Sequence, residues 1–202
     1  MYNQHEPRII LSLKNEITIE DREIRNNHKS AVVWLTGLSG AGKSTISIET
    51  EGKLFFSGKH VFILDGDNLR LGLNKDLGFS KENRRENIRR AAEVANLFYK
   101  AGYIVFCSFI SPFQSDRDFA RSLIPQNRFF EVFIKCSIEE CIRRDPKKLY
   151  EKALNKDIPD FTGISSPYEE PSNAELIIDS ERLSPKDSAL AIISMLQTNK
   201  II

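Results

Sequence analysis

Gly37-Leu38-Ser39-Gly40-Ala41-Gly42-Lys43-Ser44 sets glycines, a lysine and a hydroxyl at the spacing G-x-x-x-x-G-K-[ST], with Thr45 next. This is chemistry for phosphate. Glycines let successive backbone N–H groups turn inward around phosphate oxygens, and a helix starting here adds the positive end of its dipole. Lys43 then reaches the β and γ phosphates, and the Ser44 hydroxyl ligates Mg²⁺. A bound nucleoside triphosphate is the expectation.

A second cluster follows in Leu64-Asp65-Gly66-Asp67-Asn68-Leu69-Arg70. Carboxylates beside a phosphate loop can hold Mg²⁺ through water and accept a proton from an attacking hydroxyl, while Arg70 can neutralise an anionic acceptor. Asp65 is the expected metal residue with Ser44; either Asp65 or Asp67 could act on the hydroxyl. The guanine-reading pattern Asn-Lys-x-Asp is missing, since Asn74-Lys75-Asp76 lacks the intervening residue and precedes the third apolar run. A switch GTPase is disfavoured on that ground.

Such residues need a scaffold that brings them to one edge. Five apolar runs supply it: Ala31 to Thr36, His60 to Leu64, Tyr103 to Phe109, Phe129 to Lys135 and Glu175 to Ile178. Short runs rich in Val, Ile and Phe, separated by helical patterns, predict the buried strands of a parallel sheet in an α/β domain. Ligands of such sheets sit at the carboxyl ends of the strands, which is where both clusters fall. A helix is predicted over Ser44 to Phe56. Another runs between Ser80, its N-cap, and Gly102, its stop, with Ile88, Ala91, Ala92, Ala95 and Phe98 on one face. Residues 143–171 hold four prolines, many charges and little periodicity, which reads as a lid or binding loop. A closing helix is predicted over Ser184 to Leu196. The first 30 residues read as a weakly patterned arm packed loosely on a domain spanning 31–202.

Composition narrows the partners. Among 202 residues, 29 Lys and Arg face 28 Asp and Glu, a formal charge of +1, so no basic field advertises nucleic acid or an anionic membrane. No apolar run approaches the roughly 20 residues of a membrane span. The polar N-terminus does not resemble a secretory signal, so the cytoplasm is the expected compartment. Cys107, Cys136 and Cys141 are odd in number and read as packing residues.

The ordered motifs resemble the adenylylsulfate kinase (APS kinase) family from about Asn27 to Ser180. The phosphate loop and Leu64-Asp65-Gly66-Asp67-Asn68 are followed by Asp76-Leu77-Gly78-Phe79-Ser80 and Glu86-Asn87-Ile88-Arg89-Arg90. Then come Ile110-Ser111-Pro112, Arg144-Asp145-Pro146-Lys147, Leu149-Tyr150, Phe161-Thr162-Gly163-Ile164 and Pro167-Tyr168-Glu169. The resemblance implies a P-loop nucleoside triphosphate hydrolase fold with a five-stranded parallel sheet. It also implies transfer of the γ-phosphoryl group of ATP, with Mg²⁺, to the 3′-hydroxyl of adenosine 5′-phosphosulfate. Arg70 and Arg84 resemble the arginines that hold the phosphosulfate, and Phe79 and Phe161 the aromatics that sandwich its adenine. Asn87, Ile110, Ser111, Lys147 and Thr162 resemble further acceptor contacts, and the serine matching Ser111 can become a phosphoserine in bacterial members. Sulfate adenylyltransferase is expected on a separate polypeptide, with a homodimer left open as the assembly. Alternatives are a kinase of the same fold for another anionic nucleotide, and a nucleotide-binding regulator without turnover.

The chain departs from the family pattern at four places. Leu71 replaces a usual His, Gln114 a common Arg, and Lys148 the Gly of the lid's Lys-Gly-Leu-Tyr. Asp160 stands where small or basic residues are common.

Overall fold

The computed structural model describes residues 16–202. Five strands form one parallel sheet: β1 (Ala31–Thr36), β2 (Val61–Asp65), β3 (Ile104–Ser108), β4 (Phe129–Lys135) and β5 (Leu176–Asp179), in the order β2-β3-β1-β4-β5. The five apolar runs are these strands, shifted at most by a residue or two at their ends. β1 is central, pairing Val33 with Phe106 of β3 and with Phe130 of β4.

Every residue of β1 is buried, because its alternating side chains enter two different cores. Ala31, Val33 and Leu35 pack with Ile46 and Leu54 of α2 (Lys43–Phe56) and with Ile192 and Leu196 of α8 (Pro185–Thr198). Val32 and Trp34 pack on the opposite face with Ile88, Ala91, Ala92 and Ala95 of α4 (Lys81–Lys100) and Ala120 of α5 (Gln114–Ser122). The small residues of α4 let that helix lie close to the sheet, and Ser80 caps it by accepting from the Asn83 N–H. Phe98 is only partly buried and stacks on Phe62 at 4.5 Å. Among the cysteines, Cys107 and Cys141 are buried packing residues and Cys136 is half-buried.

Two expectations change. Residues 1–15 of the predicted arm lie outside the described residues, but residues 16–30 are not loosely packed. They form α1 (Ile19–Asn26), closed by a capping box between Thr18 and Asp21. Glu23 accepts from the Ser30 N–H and pairs with Arg128 at 3.1 Å, and the Asn26 amide donates to the Gly102 carbonyl. The segment 143–171 is also not wholly irregular. It begins in the last turn of α6 (Ile138–Arg144) and carries α7 (Leu149–Leu154). The carboxylate of Asp145 starts α7 by accepting from the N–H groups of Leu149, Tyr150 and Glu151. No helix among the described residues is long and apolar enough to cross a membrane.

His28, just beyond α1, is buried and uses both ring nitrogens, with Nδ1 toward the Lys29 carbonyl and Nε2 accepting from the His60 N–H. Only the neutral ring satisfies both, and burial lowers its pKa below the ordinary 6.5. The unfolded chain therefore binds a proton near pH 6.5 that the folded chain refuses, so stability is lost as pH falls from 7 through that value. Thermal melts across pH 7.5 to 5.5 should show this decline in the unaltered chain and a flatter one in His28→Gln; parallel slopes would dismiss the assignment.

Candidate active site

The phosphate loop leaves β1 at Gly37, whose φ of +151° and crowding against β4 exclude a side chain. A Cβ there would lie 2.5 Å from the Ile134 carbonyl oxygen. The loop then turns into α2, where Lys43 is the first helical residue. Lys43 Nζ folds back across the loop and donates to the carbonyls of Gly37 and Leu38 at 2.9 and 2.7 Å. Burial lowers its pKa to about 8. Ser39, Gly40, Gly42, Lys43, Ser44 and Thr45 line a cleft of about 810 Å³, while Gly37, Leu38 and Ala41 lie behind it and shape the loop.

Ser44 donates to Asp65 Oδ2 at 2.6 Å. The other oxygen of Asp65 accepts from the N–H groups of Asp67 and Asn68, capping the short helix α3 (Gly66–Leu71). One hydroxyl and one carboxylate oxygen, with no cluster of three or more acidic, His or Cys ligands among the described residues, suit Mg²⁺. That ion takes one or two protein oxygens and fills the rest of its shell from phosphate and water. Asp67, two residues on, points its carboxylate into the open and pairs with Lys147 from the lid.

The acceptor-side residues converge on the same cleft. Phe79 is 54% exposed and is flanked by two guanidinium groups, Arg70 at 4.4 Å and Arg84 at 5.6 Å from its ring centre. Arg70 is held by the carbonyls of Leu77 and Gly78, and Arg84 by those of Phe79 and Asp160. Burial lowers the pKa of both, and the charge of Arg70 lowers that of Arg84 further. Two partly desolvated cations that repel each other make a place for an anion. Asn87 accepts from Asn74 within the wall of the cleft. Phe161 is 93% buried, lying edge-on against Tyr150, whose hydroxyl bonds to the Ser39 carbonyl and so ties the lid to the phosphate loop. Thr162 is buried beside it, and its hydroxyl has no partner among the described residues.

The predicted aromatic pair is thus unequal, one ring free and one packed. Of the four neighbouring arginines, Arg84 is buried, while Arg85 and Arg89 are solvated and Arg90 bridges Asp76 and Glu86. Ser111 is engaged by neighbouring side chains. Its hydroxyl is buried, accepting from Trp34 Nε1 at 3.1 Å and donating to Thr36 at 3.0 Å, while Ile110 and Ser111 line the cleft. Its φ of +39° is a left-handed conformation that costs a non-glycine residue about 1 to 3 kcal/mol.

Trp34, Thr36, Tyr168 and the buried Arg117–Glu131 pair at 2.6 Å were not legible as site residues. Trp34 reads as one more apolar strand residue, and Arg117 carries no spacing signal. Three departures from the family pattern find a physical reading. Lys148 and Asp160 sit at φ of +53° and +54°, where glycine is the relaxed choice. Gln114 serves as an acceptor for Arg117 at 2.6 Å, a role no arginine could fill. Leu71 is exposed.

Known proteins resemble this chain. The family model described as adenylylsulphate kinase matches residues 29–179. An adenylyl-sulfate kinase of Staphylococcus epidermidis is 52% identical over 188 residues, covering 93% of this chain and 94% of its own length. A probable adenylyl-sulfate kinase of Halalkalibacterium halodurans is 50% identical over 200 residues, covering 99% and 98%. The Mycobacterium tuberculosis APS kinase, solved in complex with AMPPNP and APS, superposes with a TM-score of 0.81 at 44% identity, covering 84% of this chain and 99% of that one. By its phosphate loop, its strand-end acids and these matches, the chain belongs to the adenylylsulphate kinase family.

Proposed function

We propose that the cleft transfers the γ-phosphoryl group of ATP to the 3′-hydroxyl of adenosine 5′-phosphosulfate, giving ADP and 3′-phosphoadenosine 5′-phosphosulfate. The observation that carries this reading is one cleft with two unlike ends. Lys43 and the Ser44–Asp65 pair lie at one end, and Phe79 between Arg70 and Arg84 at the other.

Lys43 leaves the loop carbonyls for the β and γ phosphates and spreads the charge that develops on transfer. Ser44 and Asp65 would hold Mg²⁺, which supplies further charge neutralisation across the phosphates when bound. Arg70 and Arg84 fix the phosphosulfate, and the exposed part of the Phe79 ring takes the adenine, leaving the ribose between the arginines and the strand-end acids. Asp65 is already committed to Ser44 and to the cap of α3, so Asp67 is the residue that accepts the hydroxyl proton. A separate adenylyl-transferring enzyme supplies the acceptor.

ADP release, measured by a coupled assay with ATP and a panel of nucleotide acceptors, tests the reading. Release with adenosine 5′-phosphosulfate and not with adenosine monophosphate is expected, and the reverse preference would sink the substrate assignment. Asp67→Asn should lower kcat roughly 10² to 10⁴-fold, the range of a lost general base, with the melting temperature unchanged because the side chain is exposed. Should Asp67→Asn keep full kcat, the proton goes elsewhere.

A further inference from the structure

Behind the cleft lies a chain of side chains whose proton directions can be fixed by counting. Thr36, the last residue of β1, has one hydroxyl proton and meets the Ile110 carbonyl at 2.7 Å. A carbonyl only accepts, so Thr36 donates there, and its oxygen is left to accept from both other neighbours. These are the Ser111 hydroxyl at 3.0 Å and the Tyr168 hydroxyl at 2.9 Å. Ser111 in turn accepts from Trp34 Nε1, which only donates. Every proton is assigned, and that of Ser111 is directed to Thr36.

The backbone is clamped at the same place. Arg117, wholly buried and paired with Glu131, donates to the Ser111 carbonyl at 2.7 Å and to the Glu169 carbonyl at 2.8 Å. The Glu169 N–H donates to the Pro112 carbonyl at 2.8 Å. Three segments therefore meet on the Thr36 oxygen: the strand that leads into the phosphate loop, the turn after β3, and the end of the lid. The left-handed backbone of Ser111 needs such over-determination to persist.

We propose that Tyr168 is a positioning residue for the phosphoryl acceptor, acting through Thr36 to fix Ile110 and Ser111 so that the end of the lid sets the shape of the acceptor floor. This rests on the acceptor reading of the cleft given above. The Tyr168 ring is held independently of its hydroxyl, stacked on Phe133 with centroids 6.0 Å apart and with Arg117 6.0 Å from its centre. Tyr168→Phe therefore removes one donor and leaves the packing. The hydroxyl is also kept protonated, because burial raises its pKa.

The test uses the full chain, with each nucleotide varied in turn. In Tyr168→Phe the KM for adenosine 5′-phosphosulfate should rise roughly 2- to 12-fold, the equivalent of one buried hydrogen bond, while the KM for ATP stays constant. Trp34 is the single tryptophan, and its emission should shift as the Ser111 hydroxyl it donates to reorients. Thr36→Ser, which keeps the shared oxygen, should preserve the acceptor KM, and Thr36→Val should raise it. Equal rises in both KM values with a lower melting temperature would mark a scaffold role and overturn the proposal. So would an unchanged acceptor KM in Tyr168→Phe when Phe79→Ala raises it. If Phe79→Ala also leaves that KM unchanged, the acceptor reading itself has failed and the proposal falls with it.

Discussion

Lys43→Ala is expected to lower turnover by about 10³-fold or more, because it removes a positioned cation from the β- and γ-phosphates where charge develops. The fold should survive. Lys43 opens α2, alanine is the strongest helix former, and water entering the cleft can replace the ammonium at the Gly37 and Leu38 carbonyls. Burial also places the pKa of this lysine at about 8, so kcat/KM for ATP should fall as pH rises through that value and the ammonium is lost. ADP release measures the first effect and a pH series the second. Near-normal turnover in Lys43→Ala, with an unchanged melting curve, would remove the phosphate loop from the mechanism.

Phe79→Ala should weaken the acceptor by roughly 5- to 150-fold, the equivalent of about 1 to 3 kcal/mol for one lost base-stacking face, and leave ATP binding alone. The packing difference between the two aromatics makes Phe79 the informative one. More than half exposed, it can be truncated with little change in melting temperature. Phe161 is packed on Tyr150, so its truncation would cost about 3 to 5 kcal/mol of stability and mix lid loosening with lost affinity. Arg70→Ala should also weaken the acceptor, and its effect should shrink with salt while that of Phe79→Ala does not. Calorimetric titration of the acceptor at two ionic strengths separates them. A Phe79→Ala protein that binds the acceptor normally would place the adenine elsewhere.

The strands and the phosphate loop were readable because each depends on local pattern: apolar runs bounded by turns, and a glycine spacing that only one backbone path satisfies. α4 was readable from Ser80 through Gly102 for the same reason. α1 escaped, although Thr18 and Asp21 form a capping box, because no apolar stripe accompanies it and its hold on the domain comes from Glu23 and Asn26 reaching distant residues. α7 escaped because its start depends on Asp145 turning back to cap it from across a proline. The orientation of the Ser111 hydroxyl is set by Trp34 and Thr36, 77 and 75 residues away, and spacing carries no trace of it. The burial of Phe161 likewise rests on its contact with Tyr150, 11 residues earlier, which spacing does not signal.

The contact between Lys147 and Asp67 makes the chain its own competitor. Both side chains are more than half exposed, so the pair is a weak one that opens readily. On the proposed function an acceptor that engages both residues parts them, and its measured affinity is the intrinsic one reduced by the fraction of molecules already parted. On that reading the acceptor's anionic groups offer Lys147 a replacement partner and free Asp67 for the hydroxyl.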